Sequence, residues 1–429
     1  MKTNPEFGVF DGNMFLQLRG VLDGIQPPAG LDVLDLSIGE PQLPGGSLLM
    51  DGVAAHNRDW QFYPKVNGTP GFIDAVCGYI GRRWPDAASF AELRGQILPV
   101  PGTREPLALL GGIMRNTKPN AAALVTNPFY HAWRAGALAS GAEITFIDSH
   151  KENGFLPDLD ALDDTLLART VLMYLCSPTN PQGTVMELDY LVKALEMARA
   201  NDFLIVMDEC YADIWRGDSP PPGMLEAAAK LVGSNGGNAD PLANIVVVNS
   251  LSKRSSAAGL RAGFIIGDAS VIGQYAKLVA NSGSLVPTPL LAVASTLYND
   301  DAHVEAIRAH YDESFAIAER HLGIKPPRGG FFLWLDVEDD VGFVRELMAQ
   351  QGIRALPGQF MAAPGAGPNP ASGFVRFALV HDHAQIDQAM RRVAKLWSAN
   401  SVTAVNSGTA SGTALGGTVN GSKPGSGLT

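Results

Sequence analysis

Cysteine is scarce in this chain: Cys77, Cys176 and Cys210 are the only three in 429 residues. Three scattered thiols cannot build a disulfide framework or a zinc knuckle, and they read as small apolar fillers in a reducing compartment. Positive charge is also in deficit. Lys and Arg number 32 against 43 Asp and Glu, a formal net charge of -11. The chain therefore has no general attraction for nucleic acid or an anionic membrane. Long apolar runs are missing too, since stretches such as Ile245–Val248 are strand-sized and far short of a membrane span. Met1, Asn4, Pro5 and Glu6 open the chain without a basic start and apolar core, so no signal peptide is read and a cytoplasmic protein is expected.

What is present is an ordinary globular composition, 46% hydrophobic and 17% charged, long enough for more than one domain. Short apolar runs alternate with amphipathic stretches, the pattern of a mostly parallel sheet covered by helices. The expected buried strands are Gln96–Val100, Ala122–Thr126, Glu143–Ile147, Thr170–Leu175, Phe203–Met207, Ile245–Asn249 and Gly263–Ile266. Seven such runs make one large α/β domain, expected over 46–290, with ligands at the carboxyl ends of its strands. Residues 1–45 contain one short helical stretch. After Pro287 comes a long helical stretch to about His321, then apolar runs at Phe331–Leu335, Arg354–Leu356 and Phe374–Leu379 and a last helix to about Trp397. The segment 1–45 and residues 291–398 read together as a smaller α+β domain. Residues 399–429 have almost no charge and no aromatic residue, and are expected as a flexible Gly/Ser/Thr-rich tail.

Five local patterns carry candidate chemistry. Ser250-Leu251-Ser252-Lys253 follows an apolar run, which puts a lysine at the rim of the sheet. Its amine becomes a nucleophile if burial and nearby cations strip its proton, and Arg254 and Arg261 are such cations. Alone, it reads as a solvated lysine. Asp208 ends the run Leu204–Met207, with Tyr211 three residues on; it suits a buried cationic ligand atom and equally suits a helix N-cap. Ser177–Gly183, with Pro178 and Pro181, is a rigid turn that could present the amide of Asn180, with an X-Pro bond open to the cis form. Pro101–Glu105 joins a strand to an apolar helix, and Gly102 would let the backbone there approach a phosphate. Arg376, inside Phe374–Leu379, is either half of a structural ion pair or a clamp for a ligand carboxylate.

Taken together and in this order, the patterns resemble the class I and II aminotransferases of the aspartate aminotransferase type, over nearly all of residues 10–398. Ser250–Arg261 carries that family's Ser-x-Ser-Lys with a trailing arginine. The resemblance implies pyridoxal 5'-phosphate held by Lys253 as a Schiff base, with Lys253 also moving the substrate proton. It further implies that Asp208 pairs with the ring nitrogen, making the ring an electron sink. Tyr211 and Asn180 would hydrogen-bond the ring hydroxyl oxygen, and Tyr130 would stack on the ring. The backbone after Gly102, at Thr103 and Arg104, would hold the phosphate together with Ser250, Ser252 and Arg261. Tyr63, in Tyr63–Gly68, matches a tyrosine that reaches the neighbouring subunit's phosphate, which implies a homodimer with shared sites. Arg376 would grip the substrate α-carboxylate, with Gly39 and Asn180 lining the same pocket. The expected reaction moves an amino group from an amino acid to a 2-oxo acid, as in the 2-oxoglutarate/glutamate couple.

Within the family, Leu36–Pro41, Ser250–Arg261, Gly329–Asp336 and Arg376–Asp382 are most similar to N-succinyldiaminopimelate aminotransferases, which points to lysine biosynthesis. The competing readings are a lyase or decarboxylase on the same scaffold and a non-catalytic domain retaining the fold. His381 and His383 read as surface residues rather than metal ligands, and Gly233–Gly237 as a loop without a dinucleotide fingerprint.

Overall fold

The computed structural model describes residues 5–43, 46–235, 240–363 and 367–407. Its strands in chain order are β1 Leu34–Asp35, β2 Ile97–Val100, β3 Ala122–Asn127, β4 Glu143–Asp148, β5 Thr170–Cys176 and β6 Leu204–Asp208, followed by β7 Ile245–Ser250, β8 Gly263–Gly267, β9 Phe332–Asp336, β10 Ile353–Arg354, β11 Leu356–Pro357 and β12 Phe374–Ala378. All seven expected buried runs pair into one sheet in the order β2-β8-β7-β6-β5-β3-β4. These strands are wholly buried except β4 at the edge, which is why they lack the alternation of a half-exposed strand. Their pleat feeds two cores. Met173, Leu175, Ile205 and Val247 face one side, and Leu172, Tyr174, Val206 and Val246 face the other.

Within this sheet β8 alone runs antiparallel, to both β7 and β2. The carboxyl ends of β2, β3, β5, β6 and β7 therefore share one edge, and β8 begins there. A third core joins both ends of the described chain: Leu18, Leu22 and Leu34 pack with Phe315, Leu347, Val375 and Ile386. There β11, β12 and β9 form an antiparallel sheet, while β1 pairs with β10. The Ala378 N–H donates to Leu36 O (2.7 Å), tying β12 to the segment that follows β1.

Several elements differ from expectation. The helical stretch after Pro287 is two helices, Thr288–Asn299 and Ala302–Leu322. The break falls at Asp300, whose carboxylate takes the His303 N–H (3.2 Å) and so competes with helix continuation. The run Arg354–Leu356 is split between two sheets, β10 and β11. The last helix, His383–Ser407, passes its expected end at Trp397 and takes in the first residues assigned to a tail. Extending an established helix adds a hydrogen bond for each residue fixed. The helix Met224–Asn235 likewise runs into the expected loop 233–237. Residues 236–237 and 408–429 lie outside the described residues.

Candidate active site

A cavity of about 490 Å³ opens at the shared carboxyl edge. The residues that follow β2, β3, β5, β6 and β7 all reach it: Thr103 and Arg104, then Tyr130, Asn180, Tyr211 and Lys253. Because β8 starts at this edge, Arg261, two residues before it, arrives there as well. Gly39 and Arg376 enter from the segment after β1 and from β12. Five patterns far apart in sequence thus converge on one wall.

Lys253 sits in the short helix Leu251–Arg254, whose start is capped by Ser250 Oγ accepting from Ser252 N (3.1 Å). Its Nζ donates to Gly39 O at 2.7 Å and lies 5.5 Å from the Phe331 ring centre. Burial pulls its ammonium below the ordinary lysine value, and Arg376 and Arg261 push the same way against Glu40. Arg254, expected to help, does not: it is buried on the far side, paired with Asp213 (3.2 Å) and Asp301 (2.8 Å) and donating to Leu297 O. Successive helical residues point about 100° apart, so neighbours in sequence part company here.

Asp208, 2% exposed, ends β6. It caps no helix; the next one starts at Met224. Oδ1 accepts from Cys210 N (3.3 Å) and Oδ2 from Trp133 Nε1 (3.3 Å). Burial raises its carboxyl above the ordinary value, and the Cys210 and Trp133 donors draw it back. These donors are neutral, so they orient the carboxylate and leave its charge uncompensated. Tyr211 is buried edge-on to Phe331 and Phe332, and burial holds its phenol well above the usual range.

Arg376 forms no structural ion pair among the described residues. Its Nη2 donates to Ser37 O (2.8 Å), its Nη1 to Asn180 Oδ1 (3.2 Å), and its guanidinium lies 4.3 Å from the Phe332 ring centre. Burial pulls it down to about 10, so it keeps its charge at neutral pH, and its Nε has no partner. A buried cation held by neutral groups at a cavity wall is built to receive an anion. Gly39 is needed beside it, because a Cβ there would lie 2.4 Å from the Phe332 ring.

Gly102 (φ +77°) turns the chain from β2 into the helix Arg104–Ile113, and a Cβ would lie 2.5 Å from Arg261 Nη2. Thr103 makes no side-chain cap, which leaves the first-turn N–H groups of that helix to an anion. Arg261 donates to Pro101 O (2.9 Å) and Ala258 O (3.0 Å). Tyr130 accepts from Arg104 Nε (3.1 Å) and starts the helix His131–Ala139. Ser252 lines the cavity; Ser250 lies behind it as the cap. Tyr63 is 98% exposed and is not among the residues lining the cavity. The bonds Asn127-Pro128, Ser177-Pro178 and Asn180-Pro181 are cis.

Residue patterns missed part of the wall. Cys176 and Cys210, expected as fillers, border the cavity beside Asp208, as do Trp133, His131 and the distant Met14, Phe15 and Ile38. Only Trp133 had a local signal, standing one helical turn after Tyr130. Burial and Arg104 lower His131 to about 4, leaving it neutral. His381 and His383 are half-buried rather than on the surface, because their turn packs on the helix Ala302–Leu322. They engage Asp35 O (2.8 Å) and His310 O (3.1 Å). The described residues hold no cluster of three or more metal-ligating side chains and no helix long and apolar enough to cross a membrane.

Comparison with known proteins bears on this site. The family described as aminotransferase class I and II matches residues 31–393. The LL-diaminopimelate aminotransferase of Syntrophobacter fumaroxidans is 28% identical over 378 residues, covering 86% of this chain and 92% of that one. A crystal structure of an aminotransferase from Neisseria meningitidis superposes with a TM-score of 0.82 at 32% identity, over 90% of this chain and 97% of that one. A probable N-succinyldiaminopimelate aminotransferase from Thermus thermophilus shares the fold, with a TM-score of 0.72 at 22% identity over 90% and 100% of the two chains.

Proposed function

The chain belongs to the class I and II aminotransferases, enzymes that depend on pyridoxal phosphate, and from that membership we propose how its residues divide the work and which amino acids it accepts. The donor set fits the cofactor. Asp208 offers an uncompensated carboxylate to a protonated ring nitrogen, and Lys253 a buried amine to the aldehyde. Tyr211 and Asn180 stand by for the ring oxygen, and Tyr130 for the ring face. The helix start at Thr103 and Arg104, with Gly102 beneath it and Ser252 and Arg261 alongside, suits the phosphate; Ser250 supports it from behind. Bound there, the cofactor supplies an electron sink for the α-carbon.

The remaining work belongs to the protein. Arg376 takes the substrate α-carboxylate in a bidentate pair, and Asn180 keeps the guanidinium aligned. With the cofactor and substrate bound, Lys253 Nζ would be the group that accepts and releases the substrate α-proton, which its lowered proton affinity permits. Phe332, Ile38 and Phe15 give the cavity an apolar side. The large sheet, in a cofactor-binding domain of 46–290, holds the cofactor; the smaller domain, 291–398 with the N-terminal segment, brings Arg376. A cytoplasmic enzyme fits cysteines that form no disulfide among the described residues.

The donor we favour is a diaminopimelate-type amino acid, free or N-succinylated, with 2-oxoglutarate as acceptor, in lysine biosynthesis; the similarity to a diaminopimelate aminotransferase supports it. Tyr63, with Phe62 (69% exposed) and Trp60 (50% exposed), forms an apolar surface for a second copy, in a homodimer where Tyr63 serves the partner's phosphate. The observation carrying the reading is the meeting of Lys253, Asp208 and Arg376, each with its charge unspent on a protein ion pair, on one cavity. A donor panel with LL-diaminopimelate, N-succinyldiaminopimelate, aspartate and aromatic amino acids tests it, with glutamate formed from 2-oxoglutarate as the readout. No glutamate from any diaminopimelate would refute the substrate class. Pyruvate and ammonia released without an acceptor would mark a lyase instead.

A further inference from the structure

Asp208 is held on one side by its own turn, through the Cys210 N–H, and on the other by a single side-chain N–H from a different element, the indole of Trp133. Trp133 lies in the helix His131–Ala139 and is 2% exposed. Its ring stands almost parallel to Tyr174, 6.4 Å away at 11°. Tyr174 is in turn fixed by donating to Leu107 O at 2.7 Å. Gly136 makes room for this arrangement, since a Cβ there would lie 1.9 Å from Tyr174 Oη. The indole is thus locked before any ligand arrives, with its N–H aimed at Asp208 Oδ2.

We propose that Trp133 is a positioning residue of this enzyme: its N–H fixes the Asp208 carboxylate toward the ring nitrogen of the cofactor without consuming the charge. The proposal rests on the reading of Asp208 as the ring-nitrogen partner. The choice of an indole has a physical reason. A lysine or arginine in its place would form an ion pair with Asp208 and spend the charge needed for the ring. An imidazole could do the same on taking up a proton, whereas an indole N–H donates and never titrates. Without Trp133, Oδ2 would lose its one hydrogen-bond partner from another element among the described residues, leaving the Cys210 turn to fix the carboxylate.

The test uses cofactor-free protein titrated with pyridoxal phosphate, following the visible band. Three variants are compared with the wild type: Trp133→Phe, Trp133→His and Asp208→Asn. Trp133→Phe keeps a flat apolar ring and deletes the donor. It is expected to bind the cofactor roughly tenfold more weakly, as for the loss of a hydrogen bond to a charged group. The pH midpoint of the visible band should rise, while the thermal midpoint of the cofactor-free protein stays within about 2 °C. Trp133→His, titrated near pH ~8.5 where an ordinary imidazole is neutral and still donates, should recover most of the affinity. A merely structural tryptophan would behave differently: its loss would lower the thermal midpoint and leave the pH midpoint in place. That result, with Asp208→Asn still weakening cofactor binding, overturns the proposal and leaves Asp208 in its role. If Asp208→Asn also binds normally, the role of Asp208 falls and the proposal with it. Should Trp133→Phe fail to fold, Trp133→His decides: affinity within roughly threefold of wild type supports the donor role, and a loss as deep as that of Asp208→Asn overturns it.

Discussion

Lys253 and Arg254 leave the same short helix in opposite directions, and their surroundings set their chemistry. Arg254 is neutralised by Asp213 and Asp301, so its charge is structural. Lys253 is buried with the cations Arg376 and Arg261 near it, and these lower its hold on its proton even though Nζ donates to Gly39 O. Lys253→Ala should therefore cut turnover by at least about 10³-fold, the scale of losing an acid–base group, while the protein still binds pyridoxal phosphate non-covalently. Single-turnover kinetics with a cofactor titration would check both halves. The role proposed for Arg376 is in binding instead. Arg376→Ala should raise KM for the amino acid by about 10²-fold, as for a buried charge-assisted pair, and lower kcat less. An unchanged KM and kcat would remove Arg376 from the substrate site. The positions of Lys253, Asp208 and Arg376 were legible because each follows or sits in an apolar run. The direction of Arg254 was not, because its partners lie more than 35 residues away along the chain.

At the end of β6 the pleat turns neighbours to opposite faces. Asp208 points to the cavity, and Glu209 to a buried pocket beside Gly223 and Trp84. Glu209 Oε1 accepts from Met224 N (2.7 Å) and Oε2 has no partner, so burial pushes its carboxyl up to about 8. Folded protein thus keeps a proton that the unfolded chain releases near pH 4.5. Any stability linked to this proton is complete at low pH and is lost as the pH rises toward 8. Glu209→Gln has no such proton. Its stability relative to the wild type should grow between pH 5 and pH 8, by up to about 4 kcal/mol for one buried carboxyl. Urea titrations of both proteins at the two pH values measure this, and equal pH slopes would contradict it. Strands were the most legible elements, because a strand buried on both faces is a continuous apolar run. The reversal of β8 was hidden, since Gly263–Ile266 reads the same in either direction. Yet that reversal is what carries Arg261 to the site.

At the scale of the whole molecule, the cavity wall is drawn from residues as far apart as Met14 and Arg376. Motif spacing could bring the strand-end residues together, but it carried no signal for Met14, Phe15 or Ile38, whose place depends on how the N-terminal segment crosses the sheet edge. Tyr63 stands apart from that wall and is almost fully exposed with Phe62 and Trp60 beside it. If Tyr63 serves the site of a second copy, two variants that are each impaired should repair one another. Lys253→Ala keeps Tyr63, and Tyr63→Phe keeps Lys253. In a hybrid dimer, the site on the Tyr63→Phe subunit has its own lysine and receives the partner's intact tyrosine. Random reassortment makes half the dimers hybrid, each with one restored site, so the mixture should reach about a quarter of wild-type activity per chain. Unmixed Tyr63→Phe should bind the cofactor more weakly, because the loss falls on the phosphate. Refolding the two variants together and apart, with sedimentation to confirm dimers, reads this directly. Activity equal to the sum of the separate proteins would show that each site is complete within one chain.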